Sequence, residues 1–371
     1  MNIPKFEALA TRRQALGALG VGAASMLAGC VNRVDSAAPV PMTDAIAPDP
    51  LQMLRRIGVG SCADQNKPQP IWDAITADQP DVFVFAGDNV YASQQPWHVQ
   101  QLRAAYAQLA AQPGFARLRA SVPHIETWDD HDYGLNDGGA DWAGKQEAKD
   151  EFLKFWNVPP LDPRRQRGGI YREQLYGPPG QRVQIIMLDT RWFRSPLKAT
   201  DQPGAAGKQR YVPDEDPAKT MLGSEQWQWL EQRLQVPAQL RLIVSSVQVL
   251  ADGHGFERWG NLPRERQRLI NLIATTRAQG VVFLSGDRHI GGVYQHNAGP
   301  YPLFEMTSSG LTHAWADARE PGPNRLGDLV TVNHYGLLDI NWTSQTVMLA
   351  FKDAAGQVLR TQAIDMKRLQ T

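Results

Sequence analysis

Cysteine is almost missing from this chain. The 371 residues hold two, Cys30 and Cys62, so a fold held together by disulfides is excluded. Cys30 falls in a segment that reads as an export signal, which leaves Cys62 unpaired. A free thiol in an oxidising compartment is a liability unless it is buried or bound to a metal. Excess charge is missing as well: 38 basic residues face 38 acidic ones. No global field draws the chain to nucleic acid or to an acidic surface, so no specific nucleic-acid binding is expected and anion selectivity must be local. Internal repeats and low-complexity runs are absent from the part that should fold.

The N-terminus reads as an address. In TRRQALGALGVGAASMLAGC, Arg12 and Arg13 precede a stretch rich in Ala, Gly and Leu that is too short and too weakly apolar for a good membrane span. The arginine pair resembles a twin-arginine export signal, with the matching export machinery as a partner. Leu27-Ala28-Gly29-Cys30 resembles a lipobox, in which Cys30 would carry a lipid anchor to the membrane; a simple secretory signal cut nearby is the alternative. Val31 after Cys30, rather than Asp, points to the outer membrane. Residues 31–50, rich in Pro, Ala and Asp, read as a flexible tether. The domain organisation expected is a signal over 1–30, the tether over 31–50 and one folded domain over 51–371, exported to the periplasm.

Within that domain, six short apolar runs stop at polar clusters. Ile57–Gly60 meets Ser61-Cys62, and Val82–Ala86 meets Gly87-Asp88-Asn89. His124–Thr127 meets Trp128-Asp129-Asp130-His131-Asp132, and Val183–Leu188 meets Asp189-Thr190-Arg191. Leu242–Val244 leads to Gln248, and Val281–Leu284 meets Ser285-Gly286-Asp287-Arg288-His289. Near-continuous apolar runs suit strands buried on both faces. Helical patterns separate them: Trp97–Gln112, ending at Pro113-Gly114; Lys145–Trp156; one capped by Ser224; and one starting at Pro263 and stopping at Gly280. Strand–helix alternation predicts an α/β fold, with ligands at the carboxyl ends of the strands.

Those ends carry metal-type ligands. Asp88 and Tyr91 sit three apart, where a tight turn can aim both at one ion, and a carboxylate can bridge two cations. Phenolate and thiolate together favour a transition metal over magnesium. Cys62, His289 and Asp287 complete a set that suits a two-metal hydrolase with a bridging hydroxide as nucleophile. Asp130, His131 and Asp132 fit three jobs: ligand, substrate-facing proton donor, and an acid behind the histidine. Arg191 and Arg194 are expected at the rim as phosphate contacts. Asn89 and His254 are further candidate substrate contacts. Asp129 has no assigned role.

These motifs, in this order, resemble the alkaline phosphatase D (PhoD-like) family, itself similar to purple acid phosphatases among the calcineurin-like metallophosphoesterases. The resemblance runs over roughly residues 55–310. It implies two packed mixed β-sheets flanked by helices, a four-layer αββα sandwich. It also implies Fe3+ held by Cys62, Asp88, Tyr91 and His289, with a second metal, Ca2+ in the family's studied type, held by Asp88, Asp130 and Asp287. His131 would face substrate, and Gln248 lies near a further ligand position of the wider superfamily. Three departures stand out. The tether leaves no room for an extra β domain, Asp132 replaces the usual glutamate, and the tail reads as strands (Thr346–Phe351, Val358–Ile364) where the studied type has a covering helix. The activity implied is hydrolysis of phosphate esters, with a phosphate-ester small molecule or a phospholipid as substrate. A phospholipase D-like diesterase and a non-catalytic metal- or phosphate-binding lipoprotein are the alternatives. Residues 195–222 read as a long loop that could cover the site.

Overall fold

The run Val82-Phe83-Val84-Phe85-Ala86 is apolar at every position because both faces of its strand are covered. In the computed structural model, Val82, Val84 and Ala86 enter one core cluster while Phe83 and Phe85 enter another. Alternation of side chains along a strand makes this the pattern of a central strand between two layers.

The structure describes residue 46, residues 49–320 and residues 322–370. The export signal, including Arg12, Arg13 and Cys30, and most of the tether lie outside the described residues. The elements run in the order β1 (Arg56–Gly60), α1 (Ile71–Asp78), β2 (Val82–Ala86), α2 (Val99–Ala110), α3 (Pro113–Ser121), β3 (His124–Thr127), α4 (Asp130–Tyr133) and α5 (Lys145–Phe155). Then come β4 (Arg172–Tyr176), β5 (Val183–Met187), α6 (Gly223–Leu234), β6 (Leu240–Ser245), α7 (Pro263–Thr275) and β7 (Val281–Ser285). The chain closes with β8 (Gly291–His296), β9 (Leu303–Ser308), β10 (Arg325–Val330), β11 (Tyr335–Asn341), β12 (Thr346–Lys352) and β13 (Val358–Asp365).

A six-stranded sheet has the order β13-β12-β11-β1-β2-β3, and a seven-stranded sheet has the order β10-β8-β9-β7-β6-β5-β4. Both are mixed. β1, β2 and β3 are parallel, while β11 pairs antiparallel with β1. β5, β6, β7 and β9 are parallel, with antiparallel strands at the flanks. The larger core joins the facing sides of the two sheets, through Ile57, Val84, Leu338, Leu242 and Leu284, and continues to Trp227 and Leu230 of α6 and Ile270 of α7. The second core packs Trp72, Leu102, Phe115 and Phe152 of α1, α2, α3 and α5 on the outer side of the six-stranded sheet. The architecture is an α/β four-layer sandwich of the metallophosphoesterase kind.

The helix α2 stops before Pro113-Gly114, as expected, at Ala110. Proline occupies the first turn of α3, where its missing N–H is no loss. Ser224 is not a cap, because α6 already starts at Gly223, whose amide donates to Thr220 Oγ1 at 2.9 Å. The tail forms β12 and β13 at the edge of the six-stranded sheet. Among the described residues no helix is long and apolar enough to cross a membrane.

Candidate metal centre

Parallel strands in both sheets end on one side, and Ser61 after β1 bridges Ser309 after β9. The carboxyl ends of β1, β2, β3 and β7 therefore deliver Cys62, Asp88, Asp130, Asp287 and His289 to a common place. The backbone is bent hard to do this. Cys62, Asp88, Asp287 and His289 all have left-handed φ, between 49° and 66°. Non-glycine residues hold such angles at a cost of about 1–3 kcal/mol each, and they concentrate at functional sites.

Three groups of side chains have ligand atoms that all lie within 4.8 Å of one another: Cys62, Asp88 and His289; Asp88, Asp130 and His131; and Asp129, Asp130 and Asp287. Asp88 is shared by the first two, Asp130 by the last two. The Tyr91 hydroxyl joins the first group, 3.3 Å from Asp88 Oδ2 and 3.1 Å from His289 Nε2. Cys62 Sγ lies 3.5 Å from Asp88 Oδ2 and 2.9 Å from Ser309 Oγ. Ser309 Oγ also accepts from the His289 amide at 2.7 Å, which fixes that ligand's backbone. The Asp137 amide donates to Asp130 Oδ2 at 2.7 Å, while Asp130 Oδ1 is buried without a partner.

The electrostatics call for positive charge. Among the described residues, no salt bridge ends on Asp88, Asp130 or Asp287. Burial, and after it the charge of Asp130, holds the Asp88 carboxyl well above the usual carboxylate range. Burial does the same to Asp287, against the pull of Arg288. Burial pushes the Cys62 thiol up to about 11 and His289 down to about 3. Asp130 goes the other way, to about 2: burial opposes its charge, but His131, Arg191 and the Asp137 amide outweigh that. A cluster with three unpaired carboxylates, a thiol, a phenol and an imidazole, and with a buried oxygen left unsatisfied, fits cations.

The remaining candidates are placed differently from expectation. Arg191 and Arg194 are not at the rim. Both are buried, Arg191 pairing with Asp129 at 2.5 Å and Glu257 at 2.7 Å, and Arg194 with Glu257 at 3.0 Å. Asp132 does not orient His131. It accepts from the Asp129 amide at 2.6 Å and from Asn89 Nδ2 at 2.5 Å, while Ser93 Oγ holds His131 Nδ1 at 2.7 Å. Asn89 Nδ2 also donates to Thr127 O at 2.8 Å, so the amide nitrogen braces β3. Gln248 and His254 hydrogen-bond each other at 3.0 Å, and Gln248 reaches Tyr294 and Thr307. Neither joins the ligand groups. Asp129, left without a role by the sequence, accepts from Arg191 and from Ser246 Oγ.

A cleft of about 320 Å³ opens over the cluster, with Asp130, His131, Asp287 and His289 in its lining. Residues 195–222 reach its mouth through Arg210, which pairs with Asp137 at 2.8 Å beside Tyr211, whose hydroxyl reaches the same oxygen. The Gly255 carbonyl holds the amides of Arg210 and Tyr211, an approach that a Cβ on Gly255 would block at 2.3 Å from Gln209 N. The short basic run Arg164, Arg165 and Arg167 is engaged within the fold. Arg164 is buried against Glu126 and Asp162, and the other two bond backbone carbonyls.

The expected membrane partner requires correction. The one free cysteine among the described residues, Cys62, is buried and engaged in the ligand cluster, so it is no surface site for a lipid anchor. Cys30, where the anchor was expected, lies outside the described residues. The folded domain gives a membrane anchor no support.

A profile of the PhoD-like phosphatases matches residues 57–320, well over half of the chain. Alkaline phosphatase D of Bacillus subtilis (strain 168) is 25% identical over 264 residues, covering 64% of this chain and 42% of that protein. The match thus spans less than half the length of that curated relative. The solved structure of PhoD superimposes with a TM-score of 0.65 at 18% identity, over 88% of this chain and 73% of that one. A purple acid phosphatase from yellow lupin (Lupinus luteus) seeds gives 0.56 at 12% identity, over 86% and 55%. These two likenesses concern the fold. With the ordered motifs, the sandwich and the ligand cluster all in place, the chain belongs to the PhoD-like phosphatase family.

Proposed function

We propose that this chain is a metal-dependent phosphoric ester hydrolase of the alkaline phosphatase and phosphodiesterase type, working at a two-cation site centred on Asp88. The observation that carries this reading is the convergence of Cys62, Tyr91 and His289 on one side of Asp88 with Asp130 on the other, Asp287 beyond it. In this reading Cys62, Asp88, Tyr91 and His289 would hold Fe3+, and Asp88, Asp130 and Asp287 would hold a divalent ion, Ca2+. When bound, the cations supply Lewis-acid stabilisation of the phosphoryl oxygens and an activated water as nucleophile.

The chain's own residues do the rest. The His131 amide donates to Asp88 Oδ1 at 3.2 Å and leaves Oδ2 to the other side. The Asp137 amide occupies Asp130 Oδ2 and leaves Oδ1 for a cation. Ser93 holds Nδ1 of His131, so Nε2 remains to hydrogen-bond or protonate the substrate in the cleft. Arg191 acts through Asp129, the residue before Asp130, and so positions a ligand without touching substrate. Residues 51–371 constitute the catalytic domain, residues 1–30 an export signal and 31–50 a tether, which puts the enzyme in the periplasm. Replacing Arg12 and Arg13 by Lys should block that export.

Metal-loaded protein should hydrolyse mono-aryl or bis-aryl phosphate, contain iron by elemental analysis and show a visible tyrosinate-to-iron band. Tyr91→Phe should remove the band, and Asp88→Asn should abolish turnover. Loaded protein that turns over neither ester would defeat the hydrolase reading in favour of a binding protein. Colourless, iron-free and fully active protein would defeat the ferric assignment alone.

A further inference from the structure

Two aromatic residues at the cleft mouth belong neither to the ligand cluster nor to either hydrophobic core: Trp315 and Phe256. Trp315 is 40% exposed. Its backbone is not free to wander, because its amide donates to the carbonyl of His289 at 2.6 Å. That bond ties the backbone of Trp315 to the proposed ligand His289. Phe256 meets it edge-on, with ring centroids 6.0 Å apart at 87°. Behind Phe256 lies the Arg288 guanidinium, 4.0 Å from the ring centroid, nearly buried and paired with Glu320. Arg210, held by Asp137, stands 5.9 Å from the same ring. A guanidinium over one ring and a second ring against its edge make a wall of preset geometry. Its exposed member is an indole, the side chain with the largest apolar face.

The cleft, about 320 Å³, falls within the ~300–1,000 Å³ that small organic ligands occupy. It has room for a phosphate over the acidic floor and for a ring-sized group beside it. We propose that Trp315, backed by Phe256, is a specificity-determining subsite that selects phosphate esters whose organic group is planar and aromatic. The proposal rests on the hydrolase reading for the phosphate but stands on its own residues for the ring.

Phosphonates test it, since their C–P bond is not hydrolysed. Calorimetry on metal-loaded protein compares phenylphosphonate with methylphosphonate. The phenyl compound should bind about three- to tenfold more tightly, the range of one aromatic pair. Trp315→Ala should bring that ratio to about one, and Trp315→Phe should keep part of it, which separates a lost ring from a damaged fold. Equal binding of the two phosphonates by the unsubstituted protein overturns the proposal, as does a Trp315→Ala variant that weakens both by the same factor. Phenyl preference in loaded protein that turns over no phosphate ester would overturn the hydrolase reading and leave the subsite standing. Turnover without phenyl preference would overturn the subsite alone.

Discussion

Arg191→Met tests the largest revision the fold makes to the sequence reading. Arg191 is fully buried, meets Asp129 at 2.5 Å and Glu257 at 2.7 Å, and donates to Gly138 O at 3.3 Å. Methionine nearly matches its length, so the change removes charge and hydrogen bonds more than volume. Asp129 would keep Ser246 and Glu257 would keep Arg194, but both carboxylates would stay buried with one cation fewer. Removing one partner from a buried pair costs about 3–5 kcal/mol. With an unfolding entropy near 2.1 cal/mol/K per residue, roughly 320 folded residues give about 0.7 kcal/mol per degree, so Tm should fall by about 4–7 °C. Thermal scans at constant metal loading would measure it. Adding Asp129→Asn should recover part of the loss, since the stranded charge goes with it. If Arg191 were a rim contact to phosphate, the variant would raise KM and leave Tm untouched, and the burial argument would be wrong.

Acid should destabilise the fold through its buried imidazoles. Burial lowers His124 and His334 to about 4. Both are neutral when folded and protonate near 6.5 when unfolded, so their contribution is complete above about pH 6.5 and drains away as pH falls toward 4, by a few kcal/mol each at most. Urea midpoints from pH 7.5 to 4.5 should show the decline, and His334→Gln should flatten it; an unchanged slope would count against the assignment. Chelation should lower Tm, because Asp88, Asp130 and Asp287 are left uncompensated; a cation at a hundred times its Kd adds about 2.7 kcal/mol. An unchanged Tm with chelator would argue that the cluster binds none. Gly255→Ala should clash with Gln209 N and loosen Arg210 from Asp137, seen as a raised KM and faster proteolysis within 195–222. Unaltered cleavage and kinetics would show that the contact is dispensable.

The parts of the fold legible in the sequence were those buried on both faces. β2, β5, β6 and β7 announce themselves because nearly every position is apolar, Gln184, Arg241 and the terminal Ser245 and Ser285 being the exceptions. β4 and β10, reading Arg-Glu-Gln-Leu-Tyr and Arg-Leu-Gly-Asp-Leu-Val, are half-exposed strands at sheet edges and carry no such pattern. The ligands were legible because each lies within a few residues of a strand end. Arg191 does too, and that was misleading: its partner Glu257 lies far along the chain, and only the tertiary fold brings the two together. Gly253–Glu257 drew attention for His254, yet the histidine turns inward while Phe256 and Glu257 face the cleft. Trp315 and Arg210 come from irregular segments, where no periodicity marks a side chain as facing anything.

The left-handed backbone at Cys62, Asp88, Asp287 and His289 sets heredity against chemistry. Each of these positions would be more comfortable as glycine or asparagine. A lineage released from the need for its cluster should drift to those residues and grow more heat-resistant as it falls silent. A library selected for thermal endurance alone would travel the same road, and would erode these four positions before the core.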